Sequence, residues 1–342
     1  MASPRHVNAV RMDAMPWTGP LFIVGLPRSG TKLIRSLLNA HPQVGIPNVE
    51  TQMLPYWVRH WNSYGDLSDR RVFHRFYERA AQLPYFMYQR WHGTRLIEEV
   101  TWHRLCRDFT PAGVFEALLR HDTQVRYDSP GIWGDKCPAY ILHVPLLKQL
   151  FPEARFLHMV RDARDYCLSL RNAWGKHMLR SAQRWVDRIE TARTAARTIG
   201  TDFRDLRYED LLQAPERELR GLCDWLGIEY LPAMLVASAS TENIGAAKGA
   251  RTVLSDNREK FKREMDPDTQ ARIERIAGDV LKTYGYPTSY QGPVRRLSRL
   301  ELLPLVVRDG FNLVRAEARR RGAVTGFAFV WKLVRTSANT RR

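Results

Sequence analysis

The sequence predicts an α/β protein in which a parallel sheet is covered by helices. Two apolar strand-like runs, at 21–26 and 155–160, and a less regular one at 203–208 are separated by stretches of helical periodicity, the alternation expected of parallel strands joined by helices. The 342 residues are 44% hydrophobic and 26% charged, sufficient for a substantial core. Three parts follow: an N-terminal arm (1–20), one α/β domain (21–288) and a basic, partly apolar helical extension (289–342). No internal repeat is present.

The first element carries the most chemistry. Leu21-Phe-Ile-Val24 reads as a buried strand, and a Gly/Pro turn follows. Gly30-Thr31 then opens a helix with Leu33, Ile34, Leu37 and Leu38 on one face. Helix-start N–H groups, the Ser29 and Thr31 hydroxyls and the cations Arg28 and Lys32 are expected to converge on an anion, helped by the helix dipole. A magnesium-triphosphate loop places Lys before the metal-binding hydroxyl. Here the order is Thr31-Lys32, which misplaces that hydroxyl and argues against a metal-dependent nucleotide kinase.

The second strand-like run, Arg155-Phe-Leu-His-Met-Val160, leads through Arg161-Asp-Ala-Arg into a helix containing Ser169. Eight residues span about two helical turns, so Arg161 and Ser169 can face one site. A guanidinium fork suits bidentate contact with phosphate oxygens. Pro215 to Gly227 reads as an amphipathic helix closed by a glycine C-cap.

Together these segments resemble sulfotransferases that use 3′-phosphoadenosine 5′-phosphosulfate (PAPS), a family with a P-loop, nucleotide-kinase-like parallel sheet and no need of a metal. Pro27-Arg-Ser-Gly-Thr31 resembles the family's 5′-phosphosulfate loop, and Arg161 with Ser169 its 3′-phosphate motif. Trp133-Gly-Asp-Lys136-Cys-Pro138 resembles the Asp/Glu-Lys-x-Pro segment. Phe151-Pro-Glu-Ala-Arg155 resembles the usual approach to the 3′-phosphate strand. Arg207-Tyr208-Glu209-Asp210 resembles the segment whose tyrosine lies near adenine, and Lys248-Gly249 occupies the place of the loop that closes over the nucleotide. The resemblance covers roughly residues 20–288.

The nearest sub-pattern is the branch containing tyrosylprotein sulfotransferases and many bacterial sulfotransferases. In that branch an acidic general base follows a His-Pro turn. Asn39-Ala-His41-Pro42 through Glu50 has this form, which makes Glu50 the candidate base and His41 a weaker one. The implied reaction is in-line sulfuryl transfer to an acceptor hydroxyl on a carbohydrate, lipid, small metabolite or tyrosine, with Arg28 and Lys136 stabilising charge. Two departures stand out. Phe261-Lys-Arg-Glu-Met-Asp-Pro267 replaces the family's Trp-Arg-x-x-Leu-Ser-Pro, and Lys32 replaces the usual Thr or Asn.

Residues from about 52 to 130 are rich in Trp, Tyr, Phe, Arg and His without a phosphate signature. They are expected to form a helical insert on the acceptor side, its aromatics mainly core. Cys106, Cys137, Cys167 and Cys223 lack metal-ligand spacing and are expected to be reduced and mostly buried. Neither a signal-peptide core nor a bilayer-spanning run is seen. With the resemblance, this leads to the expectation of a bacterial cytoplasmic enzyme. The net charge of +17 is concentrated at one end: residues 291–342 hold twelve Arg/Lys and three Asp/Glu. That extension is expected to pack on the domain or on a second subunit of a homodimer, with peripheral contact to an anionic membrane as the alternative. A basic nucleic-acid-binding protein is the non-enzyme alternative, but no recognised nucleic-acid motif accompanies the charge, and no nucleic-acid partner is expected.

Overall fold

The computed structural model describes residues 16–91, 93–238, 249 and 251–322. Among these residues five parallel strands form one sheet: β1 (Leu21–Gly25), β2 (Val44–Gly45), β3 (Ile132–Lys136), β4 (Arg155–Val160) and β5 (Phe203–Arg207). Their order is β2-β3-β1-β4-β5, so β1 lies between β3 and β4. The three strands expected from sequence are present. β3 escapes that reading because Gly134, Asp135 and Lys136 are poor strand formers. Gly134 permits the pairing: a Cβ there would stand 2.1 Å from the Leu21 carbonyl oxygen.

Among the described residues fourteen α-helices surround the sheet in chain order. Between β1 and β2 lies α1 (Thr31–Leu38). Between β2 and β3 lie α2 (Leu54–His60), α3 (Arg70–Ala80), α4 (Pro84–Trp91), α5 (Glu99–Leu105) and α6 (Pro111–Thr123). α7 (Val144–Leu150) precedes β4, and α8 (Ala163–Trp174) and α9 (Met178–Ile199) follow it. After β5 come α10 (Tyr208–Gln213), α11 (Pro215–Leu226), α12 (Phe261–Glu264), α13 (Pro267–Thr283) and α14 (Arg299–Arg321).

Strand alternation sends Leu21 and Ile23 to one sheet face and Phe22 and Val24 to the other. The first face packs Leu33, Ile34 and Leu37 of α1 with Leu219 and Leu222 of α11. The second face packs the α2–α6 insert, where Trp57, Phe73, Phe76, Trp102 and Phe115 are fully or almost fully buried. Each such ring contributes about 1.5–3 kcal/mol on burial. The insert's aromatics are therefore largely core, as the sequence suggests. A third cluster joins α8, α9 and α13 through Tyr166, Trp185, Val186 and Ile273. The four cysteines are free, three of them buried. Among the described residues no helix is long and apolar enough to cross a membrane.

All five strands run in one direction, so their carboxyl ends share one edge. The loops after β1, β3, β4 and β5 therefore open side by side, the usual position of a ligand crevice in such sheets.

Candidate functional site

The loop after β1 passes into α1 without a side-chain cap. Gly30 is the N-cap of α1, with φ +89° and no side-chain cap, and no acidic residue occupies the first turn. N–H groups at such a helix start suit an anionic ligand. The Ser29 side chain is fully buried, yet its Oγ has no hydrogen-bond partner in the structure. Arg28 adopts φ +71°, a left-handed conformation that costs a non-glycine residue about 1–3 kcal/mol. Thr31 is buried and Lys32 half-buried on the first turn.

Gly30 is required by its neighbour as well as by its φ. A Cβ at this position would lie 2.3 Å from Cδ2 of Tyr208, so the ring of Tyr208 closes directly on the loop backbone. The Arg161 guanidinium stands over the same ring at 4.7 Å.

Arg161 leaves the end of β4 and reaches the first loop. Its Nη1 donates to the Arg28 carbonyl oxygen at 2.9 Å, and Arg28 Nε donates to Ser169 Oγ at 3.2 Å. The two segments singled out from sequence are thereby joined at one edge of the sheet. Arg161 Nε is buried without a partner. Asn257, which sequence reasoning missed, ties the group together: its carbonyl oxygen lies 3.4 Å from Arg161 Nη2, and its Nδ2 donates to Tyr208 Oη at 2.8 Å. Asn257 lies far along the chain and carries no motif.

Behind these groups the β4 and β5 ends are clamped. Glu209 accepts from Asp162 N at 3.1 Å and from Tyr286 Oη at 2.7 Å, and burial raises its pKa. Phe261 is buried beneath the Arg164 guanidinium at 4.0 Å, and its N–H donates to Asp165.

On the other side of β1, β3 ends at Lys136. Its ammonium is almost wholly buried and donates to Glu50 Oε1 at 2.5 Å, while Glu50 stays partly exposed. Glu50 is positioned from two directions. Arg35 Nη1 on α1 donates to the Asn48 carbonyl oxygen at 2.9 Å, and Asn39 exchanges side-chain hydrogen bonds with the backbone of Ile46. The neighbouring Thr51 hydroxyl donates to Asp135 Oδ2 at 2.6 Å and lies 2.7 Å from Tyr140 Oη. Asp135 is fully buried, and burial pushes its carboxyl up to about 7, opposed by the Thr51 hydrogen bond and by Lys136. Thr51 was missed, although it adjoins Glu50; Asp135 stands in the Asp/Glu-Lys-x-Pro segment picked out from sequence, where no role was assigned to it.

His41 falls elsewhere. It precedes β2 at the amino-terminal edge of the sheet and accepts from Gln43 N at Nδ1, a turn-forming role. Burial pushes its pKa down, with Glu229 opposing. Gly249 sits exposed in a turn at φ +80°, and Lys248 lies outside the described residues.

A parallel sheet whose central strand leads through a glycine-capped loop into a helix, with an arginine from the adjacent strand bonded to that loop, is a P-loop-like arrangement. The chain belongs to the sulfotransferase family, whose model matches residues 20–232. Among curated relatives, protein-tyrosine sulfotransferase 2 of Gallus gallus is 25% identical over 69% of this chain and 57% of its own length. A putative protein-tyrosine sulfotransferase of Caenorhabditis briggsae is 23% identical over 80% of this chain and 91% of its own. Nodulation protein NoeE of Sinorhizobium fredii is 24% identical over 82% and 68%. The chain thus spans little more than half the length of the chicken protein. Among solved structures, the sulfotransferase domain of the Synechococcus PCC 7002 olefin synthase superposes with TM-score 0.51 at 21% identity, over 80% of this chain and 97% of that one. The fold is the P-loop-like fold of sulfotransferases.

Proposed function

We propose that the protein transfers a sulfuryl group from PAPS to an acceptor hydroxyl, without a metal, and releases 3′-phosphoadenosine 5′-phosphate. The observation that carries this reading is the chain of hydrogen bonds from Arg161 to the Arg28 backbone and from the Arg28 side chain to Ser169. It supports a clamp for two phosphates, and ATP has no second phosphate at the 3′ position. The unpartnered Ser29 Oγ and Arg161 Nε, both buried, fit such a ligand as groups awaiting acceptor oxygens.

In this reading Ser29, Gly30, Thr31 and Lys32 cradle the 5′-phosphosulfate, and Arg161 and Ser169 take the 3′-phosphate. Tyr208 supports the loop from below at the adenine side, and Lys248-Gly249 closes over the nucleotide. The acceptor oxygen attacks sulfur in line, the bond between sulfur and the 5′-phosphate oxygen breaks, and the hydroxyl proton passes to Glu50. Lys136 has three donors, one of which is engaged by Glu50. The others serve the bridging oxygen as it gains charge, while Arg28 serves the non-bridging oxygens. Alignment and charge neutralisation are the main demands of such loose transfer. The α2–α6 insert follows directly on Glu50 and forms the acceptor side, where a tyrosine, carbohydrate, lipid or metabolite hydroxyl meets the same base.

Isothermal titration of the full chain with 3′-phosphoadenosine 5′-phosphate in EDTA, with ATP plus magnesium and with an oligonucleotide separates this reading from a kinase and from a nucleic-acid-binding protein. Tight binding of the first ligand only, abolished by Arg161→Ala, is expected. Preference for ATP plus magnesium or for the oligonucleotide overturns the reading. An acceptor screen with mass-tagged PAPS then identifies the hydroxyl.

A further inference from the structure

Helix α14 has two faces of different character. The inward face docks on the α8–α9 junction. Asp309 is buried, accepts from His177 N at 2.7 Å and pairs with Arg180; Asn312 Nδ2 donates to the Gly175 carbonyl oxygen at 2.8 Å; Leu305 packs into the third core cluster. The start of the helix is fixed by a capping box between Ser298 and Glu301.

The outward face is apolar. Leu300, Leu303, Val307 and Phe311 are 83%, 62%, 51% and 72% exposed. Their spacing places them, with Pro304, on one arc of about 100°. Leu303, Pro304, Val307 and Phe311 share one surface depression with Arg308 and Asn312. Arg308 and Arg315 border the arc on one side and Arg299 on the other, all exposed. Two acidic residues of the helix are engaged: Glu301 pairs with Arg295, and Asp309 is buried against Arg180.

From this arrangement we infer that α14 is a membrane-docking helix that lies in the plane of an anionic lipid surface, its Leu300–Phe311 stripe among acyl chains and its arginines at the phosphates. The charge pattern selects this occupant. A two-fold contact with a second copy through the same face would set arginine flanks against arginine flanks, whereas anionic headgroups neutralise both. The chain beyond Gly322 continues the same composition, with Lys332, Arg335, Arg341 and Arg342 around Phe327-Ala-Phe-Val-Trp331.

The test is co-sedimentation of the full-length protein with vesicles of pure phosphatidylcholine and of phosphatidylcholine with phosphatidylglycerol, alongside sedimentation velocity without lipid. Binding to the anionic vesicles alone is expected, weakening with salt. It should fall at least tenfold in Leu303→Asp/Phe311→Asp, whose thermal transition should match that of wild type because both side chains are exposed. A charge-only variant, Arg308→Gln/Arg315→Gln, should lose the preference for anionic lipid. Equal binding by wild type and Leu303→Asp/Phe311→Asp overturns the inference. So does a dimer, without vesicle binding, that dissociates in that variant, because the face then belongs to a second copy. Loss of thermal stability in the variant with no wild-type vesicle binding also overturns it, the stripe then being covered by the chain's own C-terminal residues.

Discussion

The Nζ of Lys136 lies 2.5 Å from Oε1 of Glu50, with the ammonium buried and the carboxylate partly open to solvent. The pair joins the end of β3 to the loop after β2, and in the proposed reaction the two groups serve one centre. A base that loses its carboxylate and a cation that loses its charge should each reduce kcat by ~10²–10⁴. Glu50→Gln and Lys136→Ala are expected to do so with KM for PAPS changed less than kcat. On the proposed mechanism the two act as a unit, so the double variant should be no more than about tenfold slower than the worse single variant. Stopped assays on folded protein check this, and either single variant within a few-fold of wild type refutes the assigned roles.

Ser29 offers a test in which stability and binding move apart. Its buried hydroxyl has no partner, and an unsatisfied buried polar group costs about 1–3 kcal/mol. Ser29→Ala should therefore unfold at the same temperature as wild type or higher. A lost hydrogen bond to a charged oxygen corresponds to about 1.5–3 kcal/mol, so affinity for 3′-phosphoadenosine 5′-phosphate should drop about tenfold or more. Calorimetry and titration on the same preparation suffice. A lower melting temperature with unchanged affinity would make the hydroxyl a structural one.

Asp135 gives stability a defined pH dependence. Burial raises its folded-state pKa to about 7, against ~4 in an unfolded chain. Between these values the folded protein holds the extra proton, so this contribution is complete below about pH 4, declines as pH rises and is gone above about 7. Asp135→Asn cannot ionise. Its stability relative to wild type should rise across that window by about 4 kcal/mol, roughly three pH units at ~1.36 kcal/mol each. Urea unfolding at several pH values measures the difference, and parallel curves for the two proteins would show that Asp135 does not titrate in this range.

The sequence by itself determined the local parts. The strand before Gly25, the helix opening at Thr31, the Arg161–Ser169 spacing and the Gly227 stop all depend on neighbours within a few turns, and each is present where the sequence places it. Propensity, turn chemistry and helical period act at that range. It also marked Glu50 and Lys136 separately, through motifs 86 residues apart, but not their contact.

Tertiary structure decided the rest. Burying both faces of the sheet set β1 between β3 and β4, and only that order flanks the Ser29 loop with Lys136 on one side and Arg161 on the other. It made Asp135 a buried strand residue despite its poor strand propensity, recruited Asn257 from a distant loop, and set His41 at the far edge from Glu50. Which face of α14 docks was likewise settled by Asp309 meeting Arg180 and the His177 N–H, since apolar residues occur on both sides of that helix. Long-range packing chose among arrangements to which the local signals are indifferent.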